Sequence, residues 1–219
     1  MLGFSVHPHV PVVPMLIAST LSACTLEQSA LGDRSGAQVS LAGETQSTAK
    51  ESRICADRST PAGTDKYCVS SVLKGDPVVN RFTYGPASLF DDAESTAWVE
   101  GVDGQGIGEW ITVEFDQIRL VKAIEINNGY NKDRDIYLKN GRVKGVRVEF
   151  SRDRVESSRD DKKTLVLKDT SAMQPIPLPK DQPLKAYKIK FTIESVYPGT
   201  KWEDTAISEL HIVSEPANP

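Results

Sequence analysis

The stretch Tyr187-Lys188-Ile189-Lys190-Phe191-Thr192-Ile193-Glu194 places an apolar side chain at every second residue and a polar one between each pair. Successive side chains of an extended strand point to opposite faces, so this pattern gives one face to a core and one to water. Working outward, Ile111, Val113 and Phe115 alternate with Thr112 and Glu114, and Val146, Val148 and Phe150 alternate with Arg147 and Glu149. Val121 to Ile126, Thr164 to Leu167 and Ile207 to Val213 are further strand candidates, separated by Asn-Gly, Asp and Pro residues that favour turns. No long stretch carries helical amphipathic spacing. Short strands with one wet face each bury the other by packing two sheets together. Residues 70–213 are therefore expected to form a single all-β, antiparallel β-sandwich. Gln174 to Pro183 is expected to hold a short edge segment and a crossover loop, because proline cannot donate to a central ladder.

The chain has 219 residues, 39% of them hydrophobic, and a formal net charge of −4. That balance argues against disorder throughout and against a basic surface for coating nucleic acid. Residues 1–24 contain no Lys, Arg, Asp or Glu. Within them Val10 to Ala18 is an apolar run too short to span a bilayer but suited to the core of a signal peptide. Leu21-Ser22-Ala23-Cys24 resembles a bacterial lipobox, which implies a signal peptide over 1–23 and a diacylglycerol on Cys24. Thr25 follows where inner-membrane retention prefers Asp, so an outer-membrane or cell-surface location is expected. Residues 24–52 are rich in Ser, Ala, Gly, Gln and Thr and read as a flexible tether with a reach of about 30 Å. With Cys24 lipidated, Cys55 and Cys68 remain as an even pair. A disulfide between them would close a short lead-in over 53–69 and add about 3 kcal/mol in an oxidising compartment. Two free thiols are the alternative; a zinc site would need more ligands than this pair. Residues 214–219 read as a tail.

Few residues could carry catalysis. Beyond the signal peptide the one histidine is His211, in the last strand candidate, where a surface or interface position is the ordinary reading. A multi-histidine metal site is thereby ruled out, and a serine or cysteine triad would have to be built on His211. Gly101, Gly104, Gly106 and Gly108 precede a strand rather than a helix, so they read as a hairpin loop and not as a phosphate cradle. A carboxylate pair is all that a glycosidase needs, but short strands and loops offer no evident deep cleft, and no enzymatic reaction is expected. Lys132, Arg134, Lys139, Arg142 and Lys144 are interleaved with Asp133 and Asp135, the pattern of a solvated face. The run Leu89-Phe90-Asp91-Asp92-Ala93-Glu94-Ser95-Thr96-Ala97-Trp98 crowds oxygen donors into a short loop, as a hard cation requires, although a self-capped acidic turn has the same composition.

An Asp loop leading to Thr96-x-Trp98, with Ser208-Glu209 before the last strand, resembles the discoidin, or coagulation-factor type C, family of galactose-binding-like jelly rolls. Thr96-Ala97-Trp98-Val99-Glu100-Gly101, Gly106-Ile107-Gly108-Glu109-Trp110-Ile111, Asn128-Gly129-Tyr130, Asn140-Gly141-Arg142-Val143-Lys144 and Tyr197-Pro198-Gly199-Thr200-Lys201 are similar to the subgroup typified by the non-catalytic translocation domain of NAD-glycohydrolase toxins. The resemblance implies a jelly-roll sandwich with a structural calcium ion held by Asp91, Thr96 and Glu209 and by backbone oxygens near Leu89 and Ala93. Asp92 stands where that loop usually has Gly, and Ala93 where it has an acid or amide. The resemblance further implies carbohydrate binding at end loops: Trp202, Tyr130 and Tyr197 would stack on a sugar, and Asn131, Lys132, Arg134, Lys201 and Glu203 would bond its hydroxyls. Trp98 and Trp110 are assigned to the core. The expected partner is a glycan; the rival is an envelope or host protein contacting the same loops. Membrane contact is expected through the lipid alone, and no nucleic acid is expected.

Overall fold

A computed structural model describes residues 53–75, 84–154, 161–178 and 184–217. The signal peptide, Cys24, the tether, the last residues of the tail and 179–183 of the crossover loop lie outside the described residues. Among the described residues the fold has nine strands: β1 (Ile54–Thr60), β2 (Gly63–Val69), β3 (Trp98–Val99), β4 (Trp110–Asn128), β5 (Gly141–Ser151), β6 (Asp161–Val166), β7 (Gln174–Pro175), β8 (Leu184–Tyr197) and β9 (Thr205–Pro216). A 3-10 turn, Pro86–Leu89, and one short helix, α1 (Arg134–Lys139), complete it. Among the described residues no helix is long and apolar enough to cross a membrane.

The alternation read from the sequence is realised as an all-β sandwich. Ile189, Phe191 and Ile193 of β8, Val146, Val148 and Phe150 of β5, and Ile111, Val113 and Phe115 of β4 are buried in one cluster with Trp98 and Leu210. The two candidates Ile111–Phe115 and Val121–Ile126 are halves of the single strand β4. Its first half pairs with β2 and β8, and its second half pairs mainly with β9, with a register shift between Glu114 and Arg119. Such an irregularity bends a strand. Across it β4 changes partners from β2 to β9 and β7, which alternation alone does not reveal. Among the described residues pairing between the strands is antiparallel except where Gly141 and Arg142 of β5 run beside Thr205 and Ala206 of β9, and an isolated parallel bridge joins Gly129 to Ile207. Thr112 and Thr192, expected to face water, are buried. Thr112 stands between Cys68 and Lys190 in the ladder, on a strand flanked on both sides.

Residues 53–69 are not a lead-in outside the sandwich. They form the β1–β2 hairpin, and β2 pairs with β4 from Asp65 to Val69. Cys55 and Cys68 are directly opposed in this hairpin and joined by a disulfide, with their Cα atoms 4.1 Å apart. Tyr67, on the inward face, enters the core and donates its hydroxyl to the Leu210 carbonyl at 3.1 Å, which locks the hairpin to β9. The Gln174–Pro183 stretch contributes β7 as a two-residue edge segment on β4, as its prolines require.

Candidate functional site

Two groups of sequence-selected residues meet in the structure, one around the acidic loop and one around α1. The acidic loop follows the 3-10 turn, whose Leu89 is fully buried and anchors it to the core. Asp91 accepts the Thr96 hydroxyl at 2.7 and 3.0 Å on its two oxygens and the Ala93 N–H at 3.0 Å. The Thr96 N–H closes the turn on the Ala93 carbonyl at 2.9 Å. The Ala93 N–H also reaches Glu209 Oε1 on β9 at 2.8 Å. Asp92 has φ 59°, the left-handed conformation glycine adopts without penalty. The backbone there thus takes a shape suited to glycine, and a carboxylate is added to it.

Residues two apart on a strand share a face, so Glu209 and His211 point the same way from β9. His211 Nε2 lies 3.1 Å from Glu209 Oε2 and 3.4 Å from Asp92 Oδ1. Glu209 is 2% exposed, and that burial pushes its carboxyl up to about 7, against the Ala93 N–H and His211, which favour the charged form. Asp92, Glu209 and His211 thus gather two carboxylates and an imidazole, beside the Asp91–Thr96 turn that the Ala93 N–H ties to Glu209. Calcium takes six to eight oxygens. Both Asp91 and Glu209 accept hydrogen bonds from the loop, and the second Glu209 oxygen faces an imidazole.

Helix α1 is short and built from local signals. The Asp133 carboxylate caps its start by accepting the Ile136 N–H at 2.8 Å, Lys139 pairs with Asp135 one turn back, and the Asn140 side chain donates to the Ile136 carbonyl at 2.9 Å. Its last carbonyls are then used to hold a loop. The Thr200 N–H bonds to Leu138 O at 2.9 Å and the Trp202 N–H to Lys139 O at 2.9 Å. The start of β5 pins the same loop from below: the Arg142 guanidinium binds both Asp169 oxygens at 3.0 and 2.9 Å and donates to the carbonyls of Asn140 and Pro198. Tyr137 adds its hydroxyl to Asp169 at 2.9 Å. Gly129, with φ 87°, lets β4 turn into this corner; a Cβ there would come within 2.7 Å of Arg142 and Tyr137.

On one side of α1 this frame leaves a cleft of about 240 Å³ lined by Leu73, Tyr84, Val99, Tyr130, Ile136, Asn140, Trp202 and Asp204. The Tyr84 and Tyr130 rings meet edge to face, with centroids 6.2 Å apart and planes at 84°. Lys201 and Lys139 place their ammonium groups 4.7 and 5.8 Å from the Trp202 ring centre. On the other side a more polar depression of about 490 Å³ is lined by Asn131, Arg134 and Tyr137, with Glu94 and Asp169 among its acids.

The sequence selections divide between these places. Trp202 and Tyr130 come together in the cleft. Tyr197 does not: its hydroxyl donates to Leu167 O at 3.0 Å and Lys144 covers its ring, so it serves the end of β8. Asn131 and Arg134 line the depression instead, and the Asn131 side-chain NH2 donates to Asn127 and Asn128. Lys132, Lys201 and Glu203 are exposed and outside the cleft lining. Tyr84, Asn140 and Asp204 line the cleft without having been selected. Asp204 adjoins Glu203, and only knowledge of which of the two faces the helix separates them. Trp98 and Trp110 are both buried, as assigned.

Comparison with known proteins agrees with this architecture. Among curated proteins none matches the chain. A fragment of a putative chitobiase from Bacteroides thetaiotaomicron superposes with TM-score 0.52 at 14% identity, over 75% of this chain and 95% of that one. Arabinofuranosyltransferase AftD from Mycobacteria gives TM-score 0.51 at 15% identity over 73% of this chain, which spans only 11% of the transferase. A family 32 carbohydrate-binding module of C. perfringens NanJ, solved with galactose, gives TM-score 0.46 at 18% identity, over 69% of this chain and 93% of that one. At these identities the likeness is one of fold. Residues 59–213 match the NAD glycohydrolase translocation F5/8 type C domain, a non-catalytic module, and the chain belongs to that family.

Proposed function

We propose that this protein is a carbohydrate-binding module that binds a sugar in the cleft beside α1 and catalyses no reaction. The observation that carries the reading is the cleft itself: Tyr84, Tyr130 and Trp202 surround a space walled by Leu73, Val99 and Ile136 and edged by Asn140 and Asp204. Aromatic faces suit the apolar side of a pyranose, and a carboxylate and an amide suit its hydroxyls. At about 240 Å³ the space is smaller than the roughly 300–1,000 Å³ of drug-sized pockets, which favours a single terminal sugar ring. F5/8 type C domains are often carbohydrate-binding, which supports the same reading.

The anchor belongs to this proposal. Lipid on Cys24 and the Ser- and Gly-rich segment after it would hold the module near a membrane, and the Cys55–Cys68 disulfide suits an oxidising compartment. Metabolic labelling with a fatty-acid analogue, lost in Cys24→Ser, tests the anchor. The binding reading is tested by glycan-array screening of the purified chain, followed by titration of any hit. Selective binding weakened by Trp202→Ala and by Asp204→Asn supports it. A folded protein that binds no glycan but retains a protein partner after glycan removal overturns it.

A further inference from the structure

The geometry points to a transition-metal site, suited to zinc or a similar imidazole-accepting dication, formed by Asp92, Glu209 and His211. The three side chains present one ligand atom each, all within 4.8 Å of one another. Zinc bound at about 2.0–2.2 Å in tetrahedral geometry sets neighbouring ligand atoms about 3.3–3.6 Å apart. His211 Nε2 stands 3.1 Å from Glu209 Oε2 and 3.4 Å from Asp92 Oδ1, so modest adjustment of side chains alone would close the shell. The donor set selects the ion. A ring nitrogen is foreign to calcium, which takes oxygens, whereas imidazole with carboxylates suits zinc, copper or nickel.

The surroundings support the same ion. The Ala93 N–H holds Glu209 Oε1 at 2.8 Å, an outer contact that turns the other oxygen toward His211, as second-shell bonds do for metal ligands. Asp92 is the added carboxylate in the left-handed position, and its side chain is 74% exposed. A metal ion there would keep one coordination position open to water or to a ligand from outside. This site is separate from the cleft, which is lined by none of the three residues.

The test is thermal unfolding of the tag-free full chain, stripped with EDTA and then given zinc, cobalt or calcium. At about 100 times the dissociation constant a native-state ligand should raise the Tm by roughly 5–10 °C. Zinc is expected to do so, EDTA to reverse it, and cobalt to give the visible absorption of a low-symmetry site. His211→Gln and Asp92→Asn, each melting close to the parent without metal, should lose most of the shift and the cobalt colour. Either result overturns the proposal: no zinc shift, or a zinc shift that survives His211→Gln and so belongs to other residues. A calcium shift that survives His211→Gln would assign the loop to an oxygen cage instead.

Discussion

Replacing Asp169 by Ala should weaken the frame around the cleft in a way that depends on pH. Arg142 is 6% exposed and its two contacts to Asp169, at 3.0 and 2.9 Å, are charge-assisted; the Tyr137 hydroxyl adds a third hydrogen bond. Hydrogen bonds to charged groups contribute about 1.5–3 kcal/mol each. Asp169 is 38% exposed, so solvent screens the pair and the whole set is discounted to roughly 2–3 kcal/mol. In a domain of this size that corresponds to a fall in Tm of roughly 5–10 °C. The Arg142 hydrogen bonds hold the Asp169 carboxyl below its ordinary range, against the opposing effect of burial. A lowered carboxyl stabilises the fold above its unfolded value of about 3.9, and that contribution is lost as pH falls through the lower folded value. Urea unfolding of the parent and Asp169→Ala should thus differ fully at neutral pH and differ progressively less as pH falls below the ordinary carboxylate range. A difference under about 0.5 kcal/mol at pH 7, or one that stays constant into acid, refutes the assigned role of this pair.

Three further outcomes follow from the same structure. Cys55→Ser with Cys68→Ser should cost about 3 kcal/mol of stability, measured by urea unfolding, and dithiothreitol should lower the parent to the same midpoint. Gly106→Ala should cost about 2 kcal/mol, because φ is 65° and a Cβ would come within 2.5 Å of Glu100 Cγ; Gly104→Ala, with open space around it, should cost less. Glu100→Ala should cost roughly 2–4 kcal/mol by thermal unfolding, since the buried carboxylate accepts the N–H groups of Val102 at 2.9 Å and Thr205 at 3.1 Å, which would both lose their partner.

The strands were legible because burial on one face writes a period of two into β4, β5 and β8. What joins them was not. The bend between Glu114 and Arg119 has no signature in alternation, so one strand reads as two, and the β1–β2 hairpin reads as a preface because its hydrogen bonds run to β4, far along the chain. The site shows the same division. Trp202 and Tyr130 stand out as aromatics in loops, whereas Tyr84 joins them through contacts remote in sequence, among them the Val99 N–H bonded to its carbonyl at 3.2 Å and the Tyr130 ring. Tyr197 looks equivalent until its hydroxyl is seen bonded to Leu167. His211 reads as an ordinary strand residue because its second partner, Asp92, lies on a loop more than a hundred positions earlier.

The central claim is that a sugar binds in the cleft walled by Trp202, and the most direct test is titration of the best array hit into the parent, Trp202→Ala and Tyr197→Phe. Trp202→Ala should weaken binding by about 30-fold, equivalent to roughly 2 kcal/mol, with little change in Tm, while Tyr197→Phe, outside the cleft, should bind like the parent. Equal affinity of the parent and Trp202→Ala would contradict the account and move the binding surface elsewhere on the sandwich.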